Sequence, residues 1–370
     1  MGDLVSLDDV RAAARRLAGV TVRTPLVPFP AARTASGRNL LIKPESLQPT
    51  GAFKLRGAYN AVYAVTRDLD SCTPPEGVVA HSSGNHGFAV AYAARLLGID
   101  AAIVVPENAP AIKTDAIEST GAELVRVAPT FAARVAATDE IARVRRYHPV
   151  APFDDRDVIA GQGTIGLEIA ADRLQIAADR EDRIAGDGTA GDRPAGSPAA
   201  VLVPVSGGGL ISGIAVAVKA LLPGTRVIGV EPELAADARD SLRAGTRVAW
   251  TPEQTSRTQA DALRVERVGE LTFPHIQAYV DDIVTVSEDE MLDAVRRLAR
   301  QARLIAEPGG AVAVAAALCR DAAELGIAPG TVSPGTVSPG REAPVVAVLS
   351  GGNIDPALLT ALLQAKSYTG

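Results

Sequence analysis

The chain is poor in cysteine, histidine and aromatic residues, has no excess of positive charge, and lacks a long apolar run. Its two cysteines, Cys72 and Cys319, in 370 residues exclude a disulfide framework. With neither CxxC spacing nor a histidine cluster nearby, they read as free thiols in a reducing compartment. The four histidines form no metal motif: His81 falls at a strand end and His148 and His275 each stand beside a proline, so all three read as structural. No GxSxG elbow is present, which removes the usual setting of a Ser-His-Asp nucleophile. Thirty-seven Lys and Arg against 43 Asp and Glu leave a net charge of -6 and a pI near 5.4. That balance excludes a nucleic-acid binder, which needs clustered cations. The opening "MGDLVSLDDVRAAARRLAGV" carries acids early and has no signal-peptide or membrane-length apolar stretch. No membrane association and a cytoplasmic location are therefore expected.

What is present is an enzyme-sized core. Hydrophobic residues make up 47% and charged residues 22%, the balance of a globular protein long enough for two domains. Ser6 with Asp9 three residues on predicts a capped helix running to about Leu17. Short apolar strands then alternate with helical stretches: strands at 38–45, 78–81, 101–106, 123–128 and 226–233, and helices at 53–65, 87–98 and 111–121. This alternation predicts parallel sheets with helices on their faces. The pattern resumes at 158–174, and strand, glycine loop and helix follow one another through 199–221. Residues 175–198 are rich in Gly, Asp and Arg, and 329–342 contain a tandem GTVSP repeat. Both are expected to be disordered insertions.

Four unusual stretches fall beyond predicted strand ends, where open α/β sheets bind ligands. "QPTGAFKLRGA" (48–58) sets Lys54 among small residues behind a Thr-Gly turn. "SSGNHG" (82–87) on its own would serve as a helix cap. "SGGGL" (206–210) opens a helix with free backbone N–H groups suited to a phosphate. It has neither the P-loop lysine nor the GxGxxG pattern of nucleotide sites. "SGGN" (350–353) ends a buried strand with the Ser350 hydroxyl. An amine able to form a Schiff base, a phosphate cradle, an amide and a hydroxyl are together the parts that hold pyridoxal phosphate.

In this order, "QPTGAFKLRGA", "SSGNHG", "PVSGGGL", "IAGQGT", "ADALR", "EPGGA" and "SGGN" resemble the pyridoxal-phosphate-dependent serine/threonine dehydratase and serine racemase family. The likeness covers nearly the whole chain outside the two insertions. It implies two three-layer α/β domains with mostly parallel sheets, the tryptophan synthase β-like arrangement (fold type II). The large domain would comprise 1–67 and 156–370, and a small domain, 68–155, would be inserted into it. By the same resemblance Lys54 would carry the cofactor and act as base at the substrate's α-carbon. Ser206, Gly207, Gly208, Gly209 and Leu210 would present backbone N–H groups to its phosphate. Asn85 would reach the cofactor's 3′-oxygen and Ser350 its pyridine nitrogen. Ser82, Ser83, Gly84, Asn85 and His86 would receive the substrate carboxylate, with Ser83 available as a second proton donor.

In "EPELAAD", Glu231, the Ala235 carbonyl and Asp237 match the family's divalent-cation site, whose oxygen ligands suit Mg²⁺ or Ca²⁺. Two departures stand out. Ser206 replaces a usual glycine, and Ala262 in "ADALR" replaces another, at a cost if that backbone needs positive φ or close approach to the cofactor ring. The activity implied is deamination of L-serine or L-threonine to a 2-oxo acid and ammonia. The alternatives are serine or aspartate-type racemisation and hydroxyaspartate ammonia-lyase chemistry. A homodimer is expected. The chain runs only a short way past "SGGN", so isoleucine feedback through a C-terminal regulatory domain is not expected.

Overall fold

A computed structural model describes residues 4–29, 34–67, 74–181, 197–328 and 343–364, with the backbone alone at 112, 113 and 174–181. Its ten strands are β1 (Val27–Pro28), β2 (Leu40–Pro44), β3 (Gly77–His81), β4 (Asp100–Pro106), β5 (Glu123–Val127), β6 (Tyr147–Pro149), β7 (Ala200–Pro204), β8 (Arg226–Pro232), β9 (Asp282–Val286) and β10 (Val345–Leu349). They form two sheets. The larger has the order β1-β2-β10-β7-β8-β9 and the smaller β5-β4-β3-β6. All pairs are parallel except β1 with β2.

The larger sheet is covered on both faces, which is why β7 and β10 read as unbroken apolar runs rather than alternating ones. Along β7, Leu202 points into a core shared with the helix Pro308–Cys319. Its neighbours Val201 and Val203 point into a second core with the helices Gly209–Leu221 and Arg156–Glu181. The smaller sheet packs Val78 and Ala80 against the helix Asn85–Leu97 and against Leu55, Ala58 and Val62 of the helix Lys54–Arg67. An expected boundary at 67/68 thus divides residues that share one core. The lysine helix belongs to the small sheet's packing while its N-terminus faces the large sheet.

Two features fix the lysine helix. The first is close packing through "IAGQGT". A Cβ on Gly161 would lie 2.6 Å from the Arg56 carbonyl oxygen, and one on Gly213 would lie 2.2 Å from the Ile159 carbonyl oxygen. Only glycine lets the Arg156–Glu181 helix touch the lysine helix on one side and the Gly209–Leu221 helix on the other.

The second is a buried charge cluster. Arg56 donates to Glu45 (2.7 and 3.0 Å) and to Glu168 (2.7 and 3.0 Å). Lys43 donates to Glu168 (2.5 Å) and to the Thr24 carbonyl (2.6 Å). Two cations face two carboxylates, so the burial of each is compensated. Burial alone would raise the Glu45 pKa, but the Arg56 guanidinium, with Lys43 and the Thr24 hydroxyl, more than offsets it and holds the carboxyl below its usual value.

The opening helix, Leu7–Arg16, begins on the expected Ser6–Asp9 capping box. Residues 175–181, expected in a disordered insertion, instead prolong the helix Arg156–Glu181. "QIAADRE" contains no Gly or Pro, so nothing in it stops a helix already under way. Of that expected insertion only Ser197 and Pro198 are otherwise described, and 329–342 lies outside the described residues. No helix among the described residues is long and apolar enough to cross a membrane.

Candidate active site

The lysine loop and the Ser350 turn are stitched together by backbone. Phe53 N–H donates to the Ser350 carbonyl (3.0 Å), Gly352 N–H donates to the Gly51 carbonyl (2.9 Å), and Ala52 bridges Gly351. Lys54 therefore starts its helix beside the carboxyl end of β10. Its Nζ donates to the Pro152 carbonyl at 2.6 Å. Burial without an acidic partner lowers its pKa from 10.5 to about 8. An amine so placed is a nucleophile and base close to neutral pH.

The "SSGNHG" turn leads from β3 into the helix Asn85–Leu97, with Gly84 as N-cap. The first-turn N–H groups of this helix have no intrahelical acceptor and suit a carboxylate. Ser82 and Ser83 are half-buried, and Ser82 Oγ accepts from Gly84 N–H (3.2 Å). The His86 ring does not behave as a cationic carboxylate ligand. Burial, then the nearby Lys54 charge, lower its pKa to about 3, and its Nε2 is 2.9 Å from the Val150 carbonyl. The neutral ring commits its N–H there, leaving the His86 backbone N–H for any anion.

Asn85 is gripped from both sides. Its Nδ2 donates to Glu307 Oε1 (2.6 Å) and its Oδ1 accepts from Asn353 Nδ2 (2.7 Å). These contacts set the sense of the amide and leave one N–H of the NH₂ group outside both of them. Glu307 heads "EPGGA" and Asn353 ends "SGGN", yet neither motif pointed to this role.

The glycine loop joins β7 to the helix Gly209–Leu221. Gly208 is its N-cap at φ 95°, a left-handed conformation. A Cβ on Gly207 would lie 2.4 Å from the Phe153 ring. Ser206 Oγ is buried and without a protein partner among the described residues. A cradle of backbone N–H groups, an orphaned hydroxyl and a half-buried amine fit a phosphorylated aldehyde, and the buried Ser350 follows β10 without a charge.

Glu231 and Asp237 meet elsewhere, at the end of β8. Glu231 accepts from Ala238 N–H (3.0 Å) and Arg239 N–H (2.8 Å). Both Asp237 oxygens are buried without a partner among the described residues. Burial raises both carboxyl pKa values, and Asp237 repels Glu231 further. Such orphaned oxygens fit a cation. Among the described residues no three His, Cys, Asp or Glu side chains converge, so the Ala235 carbonyl and water would complete the set. Ala262 lies in an exposed 3₁₀ turn, Asp261–Leu263, and is not among the residues with positive φ. Alanine there carries no cost from backbone conformation. His275 is structural, accepting from Val5 N–H (2.8 Å) through Nε2 and donating through Nδ1 to the Leu271 carbonyl (2.7 Å).

Fold and site together define an α/β protein that brings Lys54 and a glycine loop at a helix N-terminus to the carboxyl ends of the large sheet's strands. The chain belongs to the pyridoxal-phosphate dependent enzyme family, whose model matches residues 10–335. It is 36% identical to an L-threonine ammonia-lyase of Thermotoga maritima over 98% of this chain and 79% of that one. It is 36% identical to a serine racemase of Arabidopsis thaliana over 90% and 88%. The solved T.th. threonine deaminase superimposes with a TM-score of 0.77 at 40% identity, covering 95% of this chain and 99% of that one.

Proposed function

We propose that the chain is an ammonia-lyase that deaminates L-serine and L-threonine by β-elimination. The observation that carries this reading is the Lys54 amine, held near the Pro152 carbonyl with a pKa of about 8. Bound pyridoxal phosphate supplies the electron sink for the α-carbon. The backbone N–H groups from Ser206 to Leu210 would hold its phosphate, the remaining Asn85 N–H would meet its 3′-oxygen, and Ser350 would meet its ring nitrogen. The Ser82–His86 turn receives the substrate carboxylate on the N–H groups of its helix. Lys54 would take the α-proton, the β-hydroxyl would leave as water, and the enamine would tautomerise to an imine and hydrolyse to a 2-oxo acid and ammonia.

Elimination needs one base, whereas racemisation needs a second group on the opposite face. Ser83 is the candidate for that face. The one histidine of its turn, His86, is a poor base, because burial and then the Lys54 charge lower its pKa to about 3, so its imidazole is ill suited to take the Ser83 proton. This favours elimination over isomerisation, the reading that likeness to a serine racemase keeps alive. Glu231, Asp237 and the Ala235 carbonyl are proposed to hold Mg²⁺ or Ca²⁺. Incubating purified protein with L- and D-serine, L-threonine and 3-hydroxyaspartate, while following 2-oxo acid and chirality together, tests the assignment.

A further inference from the structure

Three consecutive residues, Pro152, Phe153 and Asp154, touch three separate parts of the site. The Pro152 carbonyl accepts from Lys54 Nζ (2.6 Å). The Phe153 ring lies against Gly207. The Asp154 carboxylate reaches the turn before the helix Thr272–Tyr279. There Oδ2 accepts from Glu270 N–H (2.9 Å), and Oδ1 accepts from Leu271 N–H (2.8 Å) and Thr272 N–H (3.2 Å). An acid capping a helix N-terminus by three backbone bonds fixes that turn firmly.

The turn in its own right holds the glycine loop. The Thr272 hydroxyl, fully buried, donates to the Gly207 carbonyl at 2.6 Å, and Gly269 N–H donates to the same oxygen at 3.1 Å. A Cβ on Gly208 would lie 2.8 Å from Thr272 Oγ1, so the hydroxyl reaches in because that residue has no side chain. In a trans peptide the carbonyl of one residue and the N–H of the next point in opposite directions. Turning the Gly207 carbonyl towards Thr272 therefore turns the Gly208 N–H away from it, out of the loop's packed side.

We propose that Thr272 and Asp154 are positioning residues for phosphate recognition. Asp154 fixes the 270–272 turn, Thr272 fixes the Gly207–Gly208 peptide plane, and the plane aims the Gly208 N–H at the cofactor's phosphate group. The inference rests on the assignment of Ser206–Leu210 as the phosphate loop. It adds a specific consequence: the two side chains govern affinity for the phosphate ester and not for the aldehyde ring.

The test is a titration of cofactor-depleted full-length protein with pyridoxal phosphate and, separately, with pyridoxal, read by absorbance and fluorescence. Thr272→Val removes the hydroxyl and keeps the shape. It is expected to weaken pyridoxal phosphate binding roughly tenfold, the worth of one buried hydrogen bond, and to leave pyridoxal binding unchanged. Thr272→Ser should restore the wild-type value. Asp154→Asn, at a half-buried position, should show the same phosphate-selective loss, and melting curves separate a misfolded variant from a mispositioned loop. If the wild type binds pyridoxal phosphate no tighter than pyridoxal, the phosphate-loop assignment itself fails. If it discriminates but both variants weaken the two ligands equally, or weaken neither, Thr272 and Asp154 do not position the loop.

Discussion

Lys54 shows how much a single residue's surroundings decide. Burial without a carboxylate partner puts its pKa at about 8 instead of 10.5, so the folded chain binds that proton more weakly than the unfolded chain. Protein stability should therefore rise with pH between about 8 and 10.5, the interval in which only the unfolded state keeps the proton. In cofactor-depleted protein, the rate at which Lys54 captures pyridoxal should climb with pH and reach half its maximum near pH 8. A midpoint near that of an ordinary solvated lysine, about 10, would contradict this. Reductive trapping of the cofactor with borohydride should label Lys54 alone, and Lys54→Ala should lower turnover on the order of 10³-fold or more, since nucleophile and base vanish together. Ser83 is predicted to behave differently. Ser83→Ala should keep elimination within about tenfold, a barrier change of ~1.4 kcal/mol, and should abolish any interconversion of enantiomers. Equal loss of both activities would place Ser83 in substrate binding instead. Lys54, Ser350 and the glycine loop were legible in sequence because each sits in a string of residues improbable for its surroundings. Glu307, Asn353, Asp154 and Thr272 were not. Each acts through a partner remote in sequence, as Asn85 and Glu307 do at a separation of 222 positions, and no local spacing announces such a pair.

At the scale of elements, the site depends on how one helix is seated. The lysine helix is held through glycine contacts with Arg156–Glu181 and through the Arg56–Glu45–Glu168–Lys43 cluster. Removing one member leaves an uncompensated buried charge, so Arg56→Met should destabilise the protein by ~3–5 kcal/mol, read as a lower denaturation midpoint. A change under about 0.5 kcal/mol would mean that the cluster is solvated. The pH dependence has a definite sign. Glu45 is held below its ordinary value of 4.5, so its share of stability is complete above that value and is lost as pH falls towards the folded-state pKa. Strands and capped helices were readable because periodicity and caps are local: the Ser6–Asp9 box and the β3, β4 and β5 series appear where their patterns fall. The end of the helix Arg156–Glu181 was not readable, because its polar last turns look like loop by composition.

At the scale of the whole molecule, two sheets meet through segments distant in the chain, and the proposed chemistry lies where the lysine loop, the Asn85 turn, the glycine loop and the Ser350 turn converge. The proposed cation site at Glu231 and Asp237 lies at the end of β8 in the large sheet, where Val205 N–H, just before the glycine loop, donates to the Val230 carbonyl (2.9 Å). Its expected effect is on stability. Mg²⁺ or Ca²⁺ at about 100 times its dissociation constant should add ~2.7 kcal/mol by mass action, chelation should remove it, and Glu231→Ala should abolish the response. Unchanged melting with and without chelator in the wild type would end the metal assignment. The measurement that bears most directly on the proposed function is the product balance from L-serine. Holoenzyme is incubated with L-serine, and pyruvate, ammonia and both serine enantiomers are quantified at several times. The predicted result is pyruvate and ammonia in equal amounts, each matching the serine consumed, with D-serine a minor species. Accumulation of D-serine as the main product, with little pyruvate, would contradict the lyase and establish an isomerase at the same lysine.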